Sequence, residues 1–215
     1  MGETSERLLR DAEEAAAHAD VALVVAGLPA RYESEGFDRK LMTMPKGQVE
    51  LIERVCAVNP RTVVVLQGGA PMEMPWRDKP AAILLMYLSG CQGGGAAVDI
   101  LAGDVSPSGK LAETWPIRLG DTALGVTYPD MDREVFYREG PFVGYRYYDA
   151  ANIEPAYPFG FGMSYTSFAY RDFELTQRCV RLTVENTGAC RGAEVVQLYV
   201  APAPGVFHRP ALCSI

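Results

Sequence analysis

An α/β fold is what this sequence predicts: a mainly parallel sheet layered with helices, followed by an antiparallel β segment. Three observations carry it. Short continuous apolar runs alternate with amphipathic segments over the first half of the chain, as buried strands joined by helical crossovers do. A charged stretch, Arg31-Tyr32-Glu33-Ser34-Glu35-Gly36-Phe37-Asp38-Arg39, follows the first apolar run. Lacking an apolar period, it reads as a loop at the C-terminal edge of a strand, where open α/β sheets bind ligands. After Phe159-Gly160-Phe161-Gly162 the apolar period changes to two, the pattern of half-buried antiparallel strands.

Residues 5–18 are alanine-rich and predict a helix, with Thr4 or Ser5 as its cap and Glu6 in the first turn, where the helix dipole favours an anion. His18 falls in the last turn, where a cation suits the dipole, and is given no catalytic role. Residues 21–27 are apolar throughout, which predicts a parallel strand covered on both faces. Pro45 then opens a helix over 46–58, with Val49, Ile52, Val55 and Cys56 at helical spacing. Asn59-Pro60 ends it, because the residue before proline avoids the helical region. Strands over 62–66 and 81–87 follow, then Gly90-Cys91-Gln92-Gly93-Gly94-Gly95 and a helix over 96–101. That glycine run suits either a helix packing close on a sheet or a phosphate seated on a helix N-terminus. Neither established phosphate-loop spacing is present, which favours close packing.

From residue 120 to 165 the pattern dissolves into aromatics, glycine and proline, densest at Tyr137 to Asp149. Such a run packs across a surface or stacks on sugars; packing is the expectation here. Val180, Leu182 and Val184 then alternate before the turn at Glu185-Asn186-Thr187-Gly188, and residues 196–200 predict a further strand.

Composition removes several function classes. The chain has 215 residues and a formal net charge of -7, so phosphate backbones and anionic membranes are repelled. Five cysteines lie scattered without paired spacing, which argues for free thiols rather than a disulfide framework or zinc site. Only His18 and His208 are available, leaving little for histidine metal sites or Ser-His-Asp chemistry. The charged N-terminus has no signal-peptide core, and the longest apolar run, 81–88, falls far short of the roughly 20 residues a span needs. A cytoplasmic protein without metal, cofactor, nucleic-acid or membrane partner is the expectation.

Six motifs, taken in order, resemble glycoside hydrolase family 3, the β-glucosidase and β-xylosidase family. They are Ala19-Asp20-Val21-Ala22-Leu23-Val24-Val25, Glu33-Ser34-Glu35-Gly36-Phe37-Asp38-Arg39 and Gly109-Lys110-Leu111-Ala112-Glu113-Thr114-Trp115-Pro116. Then come Tyr137-Arg138-Glu139-Gly140 with Gly144-Tyr145-Arg146-Tyr147-Tyr148, Pro158 through Tyr165, and Val195-Val196-Gln197-Leu198-Tyr199-Val200. The resemblance implies an α/β/α sandwich domain over residues 1–118 without its first strands. It implies an aromatic connector over 119–166 and the start of a fibronectin-III-like domain over 167–215. It also implies a fragment of a retaining, exo-acting β-glycosidase whose substrates are β-linked oligosaccharides or aryl glycosides.

In that family the nucleophile belongs to a (β/α)8 barrel, which the resemblance does not cover, so no residue of this chain is assigned to it. The acid/base carboxyl aligns with Glu35, with Glu33 as runner-up; Asp38 and Arg39 are expected to brace the loop by pairing. A general acid needs walls that hold its proton near neutral pH. Without the barrel the chain alone is expected to be a poor catalyst. The competing classes are a non-catalytic α/β module binding nucleotide or carbohydrate, and a truncated product without function.

Overall fold

The computed structural model describes residues 5–36, 39–125, 137 and 139–200. Its elements run α1 (Glu6–Ala17), β1 (Ala22–Gly27), α2 (Lys46–Val58), β2 (Thr62–Gln67), β3 (Ala82–Tyr87), α3 (Gly93–Ala102), α4 (Tyr145–Ala151), β4 (Phe168–Leu175) and β5 (Val180–Asn186). The three apolar runs pair in the order β1-β2-β3, parallel throughout. A parallel return needs a dozen or more residues of connection; α2 supplies it between β1 and β2, whereas residues 68–81, expected as a helical crossover too, run from β2 to β3 as a loop without a helix. Val24 stands opposite Val64, and Val64 opposite Ile83. A second, two-stranded antiparallel sheet joins β4 to β5, so the α/β architecture with an antiparallel segment is as expected.

One face of the parallel sheet carries the core. Val24, Ala26, Val64 and Leu66 pack with Ile52 and Val55 of α2, with Met44, Met72 and Met74, and with Trp76 and Trp115. Asn59 fastens the α1 end: its Nδ2 donates to the carbonyls of Ala16 and Ala19, both at 2.9 Å. The first is a carbonyl of the last helical turn and the second belongs to the residue just past the C-cap, so one side chain ties the helix end to the segment that leaves it. Arg54 of α2 lies between Glu6 and Glu13 of α1, at 2.8 and 3.2 Å. Ser5 holds the N-cap position of α1 but makes no side-chain cap bond.

Three expectations need correction. β1 is covered on one face only: Ala22, Val24 and Ala26 are buried, whereas Leu23 is 55% and Val25 69% exposed. The helices α1 and α2 cover the first set, and among the described residues nothing covers the second. Residues 196–200, expected as a strand, join no ladder among the described residues. An alternating pattern makes a strand only where a partner supplies hydrogen bonds. They dock on the connector instead: Gln197 Nε2 donates to the Gly160 carbonyl at 2.9 Å, and Tyr199 meets Tyr145 edge-on at 5.5 Å. Finally, the aromatic connector hides the short helix α4, which ends on Asn152 in the left-handed region (φ 58°).

The bare face of β1 has a measurable consequence. Replacing Leu23 and Val25 together by threonine, a β-branched residue suited to strands, removes apolar surface. The double variant is expected to bind less hydrophobic dye and scatter less light than the parent chain at equal concentration, with circular dichroism unchanged.

Candidate active site

The loops that follow β1 and β2 meet at the C-terminal edge of the parallel sheet, and the charged stretch lies there. Its start is set by a tight turn after β1, with the Tyr32 and Glu33 amides both donating to the Pro29 carbonyl. Glu33 then reaches across to the loop after β2: its Oε2 accepts the Gly69 N–H at 2.7 Å. Gly69 leaves little room for anything larger, because a Cβ there would lie 3.1 Å from Glu33 Oε1 and 3.1 Å from Leu88 Cδ1. The far side of the stretch is held by Arg39. Its guanidinium donates to the carbonyls of Leu41, Met42 and Pro71 at 2.8, 2.9 and 3.0 Å. Burial draws the Arg39 pKa down, against the opposing pull of the Glu33 and Glu73 carboxylates.

Glu35 stands between these two anchors. It is exposed, and its carboxylate has no partner among the described residues. Gly36 follows it with φ +91°, a conformation that side-chain-bearing residues rarely adopt. The backbone therefore turns back immediately after Glu35. The sequence expectation that Glu33 and Glu35 share a loop at the strand's C-terminal edge is met, and their surroundings differ: Glu33 is engaged with backbone, and Glu35 has no carboxylate partner among the described residues. Asp38 lies outside the described residues. Arg39 braces the loop through three main-chain carbonyls.

Beside the loop's base opens a cavity of about 560 Å³, lined among others by Arg39, Met42, Pro71, Glu113, Glu139 and Tyr148. Burial, with help from Asp121 and Tyr147, pushes the Tyr148 phenol up to about 12, so it stays protonated at physiological pH. At the cavity's edge a polar chain runs out of the core. Trp115 Nε1 donates to Tyr87 Oη, and Tyr87 Oη donates to Glu113 Oε1, each at 3.3 Å. Tyr87 closes β3 with φ +46°, a strained position of the kind concentrated near functional sites. Sequence reading missed this chain, since its members lie 26 and 28 residues apart and share no local pattern.

Burial raises the Glu113 pKa, against the lowering effect of the Tyr87 hydroxyl. A carboxyl raised in the folded state is disfavoured as an anion there. Its stabilising contribution is present below the unfolded value and is lost as pH rises through the folded one. Glu113→Gln keeps an acceptor for Tyr87 and removes the charge. The variant is expected to melt above the parent at pH 7, with the advantage shrinking toward pH 4; equal shifts at both pH values would contradict this.

Among the described residues there is no cluster of metal-ligating side chains, no helix long and apolar enough to cross a membrane, and Cys56, Cys91, Cys179 and Cys190 are free thiols. Comparison with known proteins then gives the arrangement its context. The Thermostable beta-glucosidase B of Acetivibrio thermocellus is 48% identical over 213 residues, covering 95% of this chain and 28% of that protein. A crystal structure of a Bifidobacterium adolescentis family 3 beta-glucosidase superposes with a TM-score of 0.90 and 43% identity, over 96% of this chain and 32% of that one. A Kluyveromyces marxianus beta-glucosidase in complex with glucose gives 0.78 and 39%, over 86% and 22%. The chain thus spans about a fifth to a third of these relatives. The Glycosyl hydrolase family 3 C-terminal domain matches residues 4–165, and the chain belongs to that family.

Proposed function

We propose that this chain is the part of a retaining, exo-acting β-glucosidase that supplies the acid/base carboxyl, and that Glu35 carries it. One observation supports this above the others: Glu35 is exposed at the C-terminal edge of the sheet, with no carboxylate partner among the described residues, between two anchors that both end on the segment Gly69 to Pro71. A proton donor must stand within hydrogen-bond reach of the leaving oxygen, so it must be free of other partners and yet held in place. Glu35 meets both demands; Glu33 meets only the second.

In the proposed reaction a carboxylate from a barrel domain, about 5–5.5 Å from Glu35, attacks the anomeric carbon. The glycosidic C–O bond breaks as Glu35 gives its proton to the departing oxygen. In the second step Glu35, now a carboxylate, takes a proton from water. That water breaks the glycosyl–enzyme bond and releases a sugar with retained configuration. The substrate class is a terminal, non-reducing β-linked glucosyl unit of an oligosaccharide or aryl glycoside. The barrel also supplies the walls that desolvate the acid.

The test is a chimera in which these 215 residues replace the matching segment of the Acetivibrio thermocellus beta-glucosidase. Hydrolysis of cellobiose by the chimera, lost on Glu35→Gln, supports the reading. A folded chimera whose activity is indifferent to Glu35 overturns it.

A further inference from the structure

Two tethers hold the loop that carries Glu35, and they differ in kind. Arg39 fastens the C-terminal side with three bonds to main-chain carbonyls, two of them on its own segment. On the N-terminal side, the hydrogen bond to the loop after β2 among the described residues is the charge-assisted one from the Gly69 amide to Glu33 Oε2, across 36 residues of sequence. Glu33 is two residues from Glu35. The intervening Ser34 makes only a weak contact to the Glu35 carbonyl, at 3.4 Å. Loosening Glu33 therefore frees the carboxyl-bearing turn on the side where, among the described residues, only that weak contact reaches Glu35.

We infer that Glu33 is a positioning residue: its carboxylate clips the Glu35 loop to the Gly69 amide and so fixes where the proton donor stands. The inference rests on Glu35 being the acid/base. Charge-assisted bonds of this kind are shorter and roughly twice as strong as neutral ones. A side chain at position 69 would crowd both Glu33 and Leu88, so glycine there lets the carboxylate approach the amide. A displacement of about 1 Å at a catalytic group costs on the order of a hundredfold in rate, so one clip of this type is enough to matter.

The consequence is a kinetic pattern that a proton-transferring residue would not give. In the chimera, Glu33→Ala is expected to lower kcat on cellobiose by about 10- to 100-fold with little change in KM. Glu33→Gln, whose amide oxygen still accepts the Gly69 N–H, should recover most of that loss. Azide should not rescue Glu33→Ala, because the base of the second step is still present. In the 215-residue chain itself, Glu33→Ala should speed hydrogen exchange at the Gly69 amide, and Glu33→Gln should speed it less.

An unchanged kcat in Glu33→Ala overturns the inference. So does a Glu33→Gln variant as slow as Glu33→Ala and rescued by azide, which would make Glu33 the acid/base. If instead Glu35→Gln is without effect, the catalytic reading falls while the exchange rate at Gly69 still reports whether the clip exists. Unaltered exchange there in Glu33→Ala removes the clip as well.

Discussion

Glu35→Gln in the chimera is expected to slow cellobiose hydrolysis by about 10²- to 10⁴-fold, the range that a positioned general acid contributes. Glucose is a poor leaving group and cannot depart unprotonated. An aryl glucoside such as the 2,4-dinitrophenyl compound departs as a stable phenolate, so its first step should lose far less. Its second step still lacks a base, and a glycosyl–enzyme intermediate should accumulate, seen as a burst of phenolate followed by slow turnover. Azide attacks that intermediate without needing deprotonation. It should speed turnover of the aryl substrate and yield β-glucosyl azide. Equal losses on both substrates, without a burst, would place Glu35 outside proton transfer. A loss confined to KM would make it a binding residue.

Trp115→Ala has the largest expected effect on stability, a loss of about 3–5 kcal/mol. Domains of this size are stable by only about 5–15 kcal/mol, so urea unfolding should shift far to lower concentration. Trp115 is 1% exposed, and two distant parts of the chain reach in to it. Its ring meets Tyr87 of β3 edge-on at 6.4 Å, its amide donates to the Tyr157 carbonyl, and its carbonyl receives the amides of Ala156 and Tyr157. Truncation opens a cavity where sheet and connector join, while the backbone bonds hold the cavity walls apart and resist collapse.

A comparison with Trp76 isolates the indole N–H. Trp76 is fully buried, and its Nε1 has no hydrogen-bond partner among the described residues, whereas Trp115 Nε1 donates to Tyr87 Oη. Trp115→Phe should therefore cost more than Trp76→Phe, since only the former breaks a bond as well as shrinking a side chain. The reverse order would mean that ring volume, and not the N–H, dominates at these sites.

Much of the layout was legible from local pattern. The α2 boundaries, Lys46–Val58, follow from Pro45 before the helix and Asn59-Pro60 after it, both of which act within a residue or two of themselves. The parallel pairing of β1, β2 and β3 follows from the length of the connections between apolar runs. The loop with Glu33 and Glu35 could be placed at the ligand edge because a strand precedes it and a helix follows. The connector was less legible. The tyrosines of α4 are indifferent helix formers, and seven residues are too few for an apolar period to show.

Sequence by itself determined the strand–helix order, the family motifs and the loop that holds both candidate glutamates. Tertiary structure alone showed how their surroundings differ: Glu33 accepts the Gly69 amide, and Glu35 has no carboxylate partner among the described residues. The family motif points to Glu35, but spacing within the nine-residue loop cannot show which carboxylate is engaged, because loop side chains have no fixed alternation. The distinction comes from Gly69, 36 residues downstream, brought alongside only when β2 pairs with β1. The same holds for Arg39, whose partner Pro71 lies 32 residues away, and for the bare face of β1, which a run of apolar residues cannot reveal. Periodicity reports what a residue's near neighbours require of it; partners distant in sequence are set by which strands pair.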